Sequence, residues 1–89
     1  MTPSTPTFKA VDLVVGQTYL VVKPFKDYDG TTHPAGESWS FLEKHFLPYE
    51  DGLTLVVDLN GQKIFIRLQW RSETQGDIID HFSDFVTAV

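Results

Sequence analysis

The pair Asn60-Gly61 constrains this chain more than any other feature, because it separates two runs in which apolar residues alternate. A two-residue type I′ turn needs positive φ at both central positions, which Asn and Gly adopt at least cost. A turn at that point sets Val57 opposite Ile64, Leu55 opposite Ile66 and Leu53 opposite Leu68 on one face. The other face carries Asp58 opposite Lys63, Val56 opposite Phe65 and Thr54 opposite Arg67. A slip of one residue would turn the apolar row into water, so turn chemistry and burial pattern select the same register. Residues 53–70 therefore predict a hairpin with one dry face and one mixed face.

The rest of the chain is read around that hairpin. Residues 1–7 hold prolines and threonines and predict a disordered tail ahead of one globular domain at 8–89. Phe8 to Val15 is an apolar group too irregular for a strand and fits a short turn of helix or an edge segment. Strands are expected at about 18–25 and 37–43, besides the hairpin strands 53–59 and 62–70. Pro24 cannot donate to a ladder and should mark the end or edge of the first. Ser38 and Ser40 alternate with Trp39 and Phe41, which gives the second an aromatic face. Beyond Trp70 the period changes. Ile78, Phe82, Phe85 and Val89 recur at helical spacing and predict an amphipathic helix over 76–88. The fold class is then mainly β: a small, strongly bent antiparallel sheet or SH3-like barrel with one C-terminal amphipathic helix. The alternative is a two-layer α+β arrangement, a four-stranded sheet carrying that helix.

Composition narrows the function classes. The chain has 89 residues and no cysteine, so it can form neither a disulfide nor a thiolate metal site and has no thiol nucleophile. A net charge of −5 argues against a phosphate backbone or an anionic membrane as the main partner. No run approaches the length of a spanning helix and no basic, apolar leader opens the chain, so the expected compartment is cytoplasmic.

The stretch 26–37 gathers Asp27, Tyr28, Asp29, Gly30, His33, Pro34, Gly36 and Glu37, a loop by every breaker rule. Asp27, Asp29, His33 and Glu37 offer oxygen and imidazole groups to a divalent cation. The spacing is not that of a calcium loop: with Asp27 first, Thr32 stands where glycine belongs and Ser38 where the bidentate glutamate belongs. Turn-forming aspartates explain the residues without a metal, and no cofactor is implied. A catalytic reading would pair His33 with Asp27 or Asp29 and use Ser40 or Thr32 as nucleophile, but no nucleophile elbow is present. His45 and His81 add no such constellation. Lys63, Arg67 and Arg71 make a small basic strip, which cross-strand partners such as Asp58 account for. Tyr28, Trp39, Phe46, Tyr49, Phe65 and Trp70 are more aromatic residues than so small a core needs, with about two in three expected inside. The leading expectation is a non-enzymatic module that binds a protein or peptide partner through Tyr28, Asp29, His33, Glu37, Trp39 and Tyr49. The alternatives are a small metal-dependent hydrolase at Asp27, Asp29 and His33, or an immunity-type or homodimeric interaction protein; the oligomeric expectation is a monomer or weak homodimer.

Two resemblances add to this. The run Asp27-Tyr28-Asp29-Gly30, then His33-Pro34, Gly36-Glu37, Trp39, Phe41-Leu42, the string from Phe46 to Leu53 and the run from Ile66 to Arg71 resemble a small bacterial family catalogued as a domain of unknown function, family 3601. The resemblance spans about residues 16–85 and implies a bacterial single-domain protein, with no activity attached. The loop carrying Tyr28, Asp29 and Glu37 before Trp39 is also similar to that of SH3 domains. The tryptophan pair and the Ala-Leu-Tyr opening of those domains are missing, so this likeness bears on architecture rather than on proline-rich peptides.

Overall fold

The computed structural model describes residues 8–47, 51–71 and 73–89. The expected tail at 1–7, the candidate site residue Tyr49 and the candidate helix cap Ser72 lie outside the described residues.

The Asn60-Gly61 hairpin forms as expected. Asn60 and Gly61 take φ of 55° and 83°, and strands β5 (Gly52–Leu59) and β6 (Gln62–Gln69) pair in the register that the turn dictates. Leu53, Leu55, Val57, Ile66 and Leu68 are buried and Ile64 is partly so, while Lys63, Phe65 and Arg67 are exposed on the opposite face. Val56 belongs to that outer face but sits in register between Glu43 and Phe65 and is buried.

Five antiparallel strands make the main sheet, in the order β6-β5-β4-β1-β7, with β1 at Thr18–Val21, β4 at Ser38–Leu47 and β7 at Val86–Ala88. A two-stranded ladder, β2 (Phe25–Lys26) with β3 (Thr32–His33), stands apart. The sheet has two free edges, so the barrel expectation is corrected to an open sheet. The expected strand 18–25 is also shorter, because Val22 and Lys23 turn their N–H groups to the Phe85 carbonyl before Pro24. In β4 the pairing with β5 shifts between Phe41 and Glu43, leaving Leu42 as a bulge.

The expected helix over 76–88 is corrected as well. Only Gly76–Asp80 is α-helical (α1); Phe82–Asp84 is a 3-10 turn, and the chain then extends into β7 beside β1. Two effects account for this. Asp80, His81, Phe82, Ser83, Phe85, Val86 and Thr87 are all weak helix formers. Strand β1 would otherwise present an open edge, which β7 closes with ladder bonds. Ile79, Phe82 and Val86 are fully buried all the same, whereas Val89, assigned to the helical stripe, is exposed. A 3-10 turn at Ala10–Asp12 matches the short-turn reading of residues 8–15. Its Ala10 and the following Leu13 join Phe25, Ile79 and Phe82 in one core with the inner face of the sheet.

Candidate functional site

The loop singled out in the sequence folds into a compact hairpin around a buried histidine. Asp27 shapes the turn: its carbonyl accepts from Gly30 N–H at 3.1 Å and its Oδ1 from Thr31 N–H at 2.9 Å. Gly30, at φ 85°, occupies a conformation that a Cβ would strain. Further on, Pro34-Ala35-Gly36-Glu37 closes with Glu37 N–H on the Pro34 carbonyl, and Gly36 takes φ 98°. This second turn brings the Glu37 side chain back beneath His33.

The two turns place a carboxylate at each end of one imidazole. His33 Nε2 lies 2.8 Å from Asp27 Oδ2, and Nδ1 lies 2.8 Å from Glu37 Oε1. Asp27 and His33 are both buried, and Glu37 is nearly so. Each ring nitrogen thus meets one carboxylate oxygen within hydrogen-bond distance. One face of the ring stacks on Phe25 at 4.9 Å between centroids, and Phe25 in turn meets Phe82 and Phe85 in the core. The histidine thus pins the β2–β3 ladder to the rest of the molecule.

This geometry leaves the ring no free nitrogen for a metal or for proton transfer. The two carboxylates lie on opposite sides of the imidazole and do not converge on one point. Among the described residues, no group of three His, Cys, Asp or Glu side chains is placed to hold a metal ion. Asp29 does not join the cluster: its Oδ2 faces Arg67 Nε at 3.5 Å.

The pinned turn reaches the main sheet. Tyr28 N–H donates to the Arg67 carbonyl at 2.7 Å, which seats the turn on the outer edge of β6. A cleft of about 250 Å³ opens there, lined by Tyr28, Leu47, Gly52, Thr54, Arg67 and Gln69. Tyr28 is 53% exposed and Leu47 52%. A wider concavity of about 390 Å³ near Phe8, Val14 and Tyr19 has several of its polar groups engaged within the chain. There, Tyr19 Oη accepts from Val14 N–H, and Gln17 Nε2 donates to the Thr18 and Val89 carbonyls.

Of the residues expected to bind, the structure brings Tyr28 to the cleft and Asp29 against Arg67 of its lining, while His33 and Glu37 are bonded to each other and do not line it. Trp39 is 2% exposed, with its ring against Tyr19 in the core. The aromatic surplus lies further outside than expected: Tyr28, Phe46 and Phe65 are exposed, Trp70 is half-buried, and among the described members only Trp39 is buried. Leu47, Gly52, Thr54 and Arg67 did not stand out as site residues. The hairpin register puts Thr54 and Arg67 side by side, but nothing local signals that residue 28 returns to meet them.

Two exposed pairs complete the electrostatics. A hydrogen bond from His45 Nε2 at 2.9 Å holds the Glu43 carboxyl below its ordinary value of 4.5; slight burial opposes this, and the charges of His45 and Lys63 assist. The Asp51 carboxylate, 3.0 Å from Arg71 Nε, raises that guanidinium above its ordinary value.

Comparison with curated proteins returns no match. Among solved structures, an integron cassette protein from the mobile metagenome of Vibrio cholerae is similar, with a TM-score of 0.86 and 37% identity over 89% of this chain and 88% of that one. The model of one family matches residues 7–89, a range that holds the hairpin, the histidine pin and the cleft, and so the chain belongs to the family described as Domain of unknown function (DUF3601).

Proposed function

We propose that the protein is a non-enzymatic bacterial module that binds a protein or peptide partner at the rim formed by the Tyr28-Asp29 turn and the outer face of β5 and β6. The observation that carries this reading is the cleft beside Tyr28. Exposed apolar groups, Tyr28 and Leu47, stand next to one cation, Arg67, at the outer face of the sheet. Contact area from aromatic and aliphatic groups, oriented by a few polar ones, is the usual composition of a recognition surface. A hydrolase at Asp27, Asp29 and His33 is disfavoured by the same geometry, since His33 has both nitrogens engaged and Asp29 points to Arg67.

The test is a comparison of partners recovered from cells by the wild-type chain with those recovered by Tyr28→Ala and Arg67→Ala. Loss of the same partner in both variants, with near-UV circular dichroism unchanged, supports the reading. Identical recovery by wild type and both folded variants removes it.

A further inference from the structure

We infer that the partner is an acidic, extended segment that adds as a strand to the free edge of β6 beside Lys63, Phe65 and Arg67; this rests on the binding reading above. Register fixes which backbone groups are available. The turn pairs Leu59 with Gln62, and Trp70 N–H donates to the Asp51 carbonyl at 2.7 Å, so the hydrogen-bonded partners alternate through Val57–Ile64, Leu55–Ile66 and Leu53–Leu68. Lys63, Phe65 and Arg67 therefore direct their N–H and C=O groups away from β5. Tyr28 N–H takes the Arg67 carbonyl, which ends the open segment on that side. Among the described residues, no backbone group pairs with Lys63 or Phe65 on the outer edge. At the opposite edge of the sheet β7 has only three residues, against eight in β6.

The side chains on this edge select the occupant. Lys63, Phe65 and Arg67 lie two residues apart on one face, all exposed, with Phe65 57% so. Lysine is a common deterrent to strand pairing, but a large exposed aromatic between two cations is not. A second copy of the chain, pairing antiparallel about Phe65, would set Lys63 against Arg67, and like charges directly opposite are unfavourable. A segment with a carboxylate two residues from an apolar residue would instead set it opposite Lys63 and cover the Phe65 ring, ending short of Arg67, where Tyr28 already bonds the edge. Of the acids on this face, Glu43 is held by His45 at 2.9 Å. Asp58 stands opposite Lys63 with a buried Oδ1 that meets no hydrogen-bond partner among the described residues. The Arg67 contact with Asp29 is long, at 3.5 Å, and half exposed.

The test is an amide-shift titration of the ¹⁵N-labelled chain with two short blocked peptides, Thr-Glu-Thr-Val-Thr-Glu-Thr and its counterpart with lysine in place of glutamate. The acidic peptide is expected to shift the amides of Lys63 and Phe65 saturably, to bind about tenfold more tightly than the basic one, and to weaken as salt is added. Phe65→Pro removes an N–H that has no backbone partner among the described residues, and should abolish binding while the Leu55 and Ile66 amides stay in place. Should that variant misfold, Lys63→Glu with Arg67→Glu should reverse the preference between the peptides. Equal binding of both peptides, shifts centred elsewhere, or unchanged binding by folded Phe65→Pro would overturn strand addition. So would a doubling of mass with no peptide response, which would identify a second copy as the occupant. If neither peptide binds while Tyr28→Ala and Arg67→Ala still lose a cellular partner, strand addition fails and the binding reading stands. If the acidic peptide binds at β6 but those variants keep every cellular partner, the broader reading fails instead.

Discussion

The backbone N–H of Tyr28 donates to the carbonyl of Arg67 at 2.7 Å, across 39 residues of sequence. This bond ties the turn of a small hairpin to the edge strand of the main sheet. It holds because the base of that hairpin is pinned by His33 between Asp27 and Glu37. The fold and the proposed recognition surface are thus linked through one buried imidazole.

Removing the imidazole should cost far more than removing one carboxylate charge. His33→Ala leaves two carboxylates facing each other across a cavity and is expected to destabilise the protein by about 3 kcal/mol in urea denaturation. Glu37→Gln keeps a hydrogen-bonding oxygen at the less buried end and should cost about 1 kcal/mol. Equal losses would mean that the cluster does not act as a pin.

The two faces of the hairpin should respond oppositely to truncation. Leu55 is fully buried, and Leu55→Ala is expected to cost about 3 kcal/mol through lost transfer energy and the cavity left behind. Phe65→Ala, on the exposed face, should stay within about 0.5 kcal/mol. A large loss at Phe65 would show that its ring is covered in the free protein.

Gly76 is expected to tolerate no side chain. A Cβ there would stand 2.6 Å from the Arg71 carbonyl oxygen, a backbone atom that cannot swing aside. Gly76→Ala should therefore destabilise by about 2 kcal/mol despite the better helix propensity of alanine. A stabilised variant would contradict that close approach.

Acid should release the Glu43–His45 pair. Because the folded-state value of Glu43 is depressed below 4.5, its contribution is present above that pH and is lost as pH falls through the lower folded value. Side-chain carboxyl shifts should place the Glu43 midpoint below 4.5, and His45→Gln should move it upward. Both residues are exposed, so global stability should hardly register the change.

What could be read from the sequence follows from how local its causes are. The β5–β6 register was legible because turn chemistry at Asn60-Gly61 and a period of two act over neighbouring residues. The C-terminal strand is not legible, because Phe82, Val86 and their neighbours recur at spacings that suit a helix, while the deciding factor, an open edge on β1, lies some 65 residues away. The Asp27 turn was legible from Asp and Gly chemistry, yet a lone histidine in a loop carries no sign that it will be buried between two acids. The return of Tyr28 to Arg67 is a tertiary contact and has no sequence signature at all.

The direct test of the link between the pin and the proposed recognition surface is amide hydrogen exchange at Tyr28 in the wild type and in His33→Gln. If the buried imidazole seats the turn on β6, Tyr28 N–H is slow in the wild type and exchanges about tenfold or more faster in the variant, while the Ile66 amide within the ladder is unaffected. Equal protection of Tyr28 in the two proteins would contradict that link.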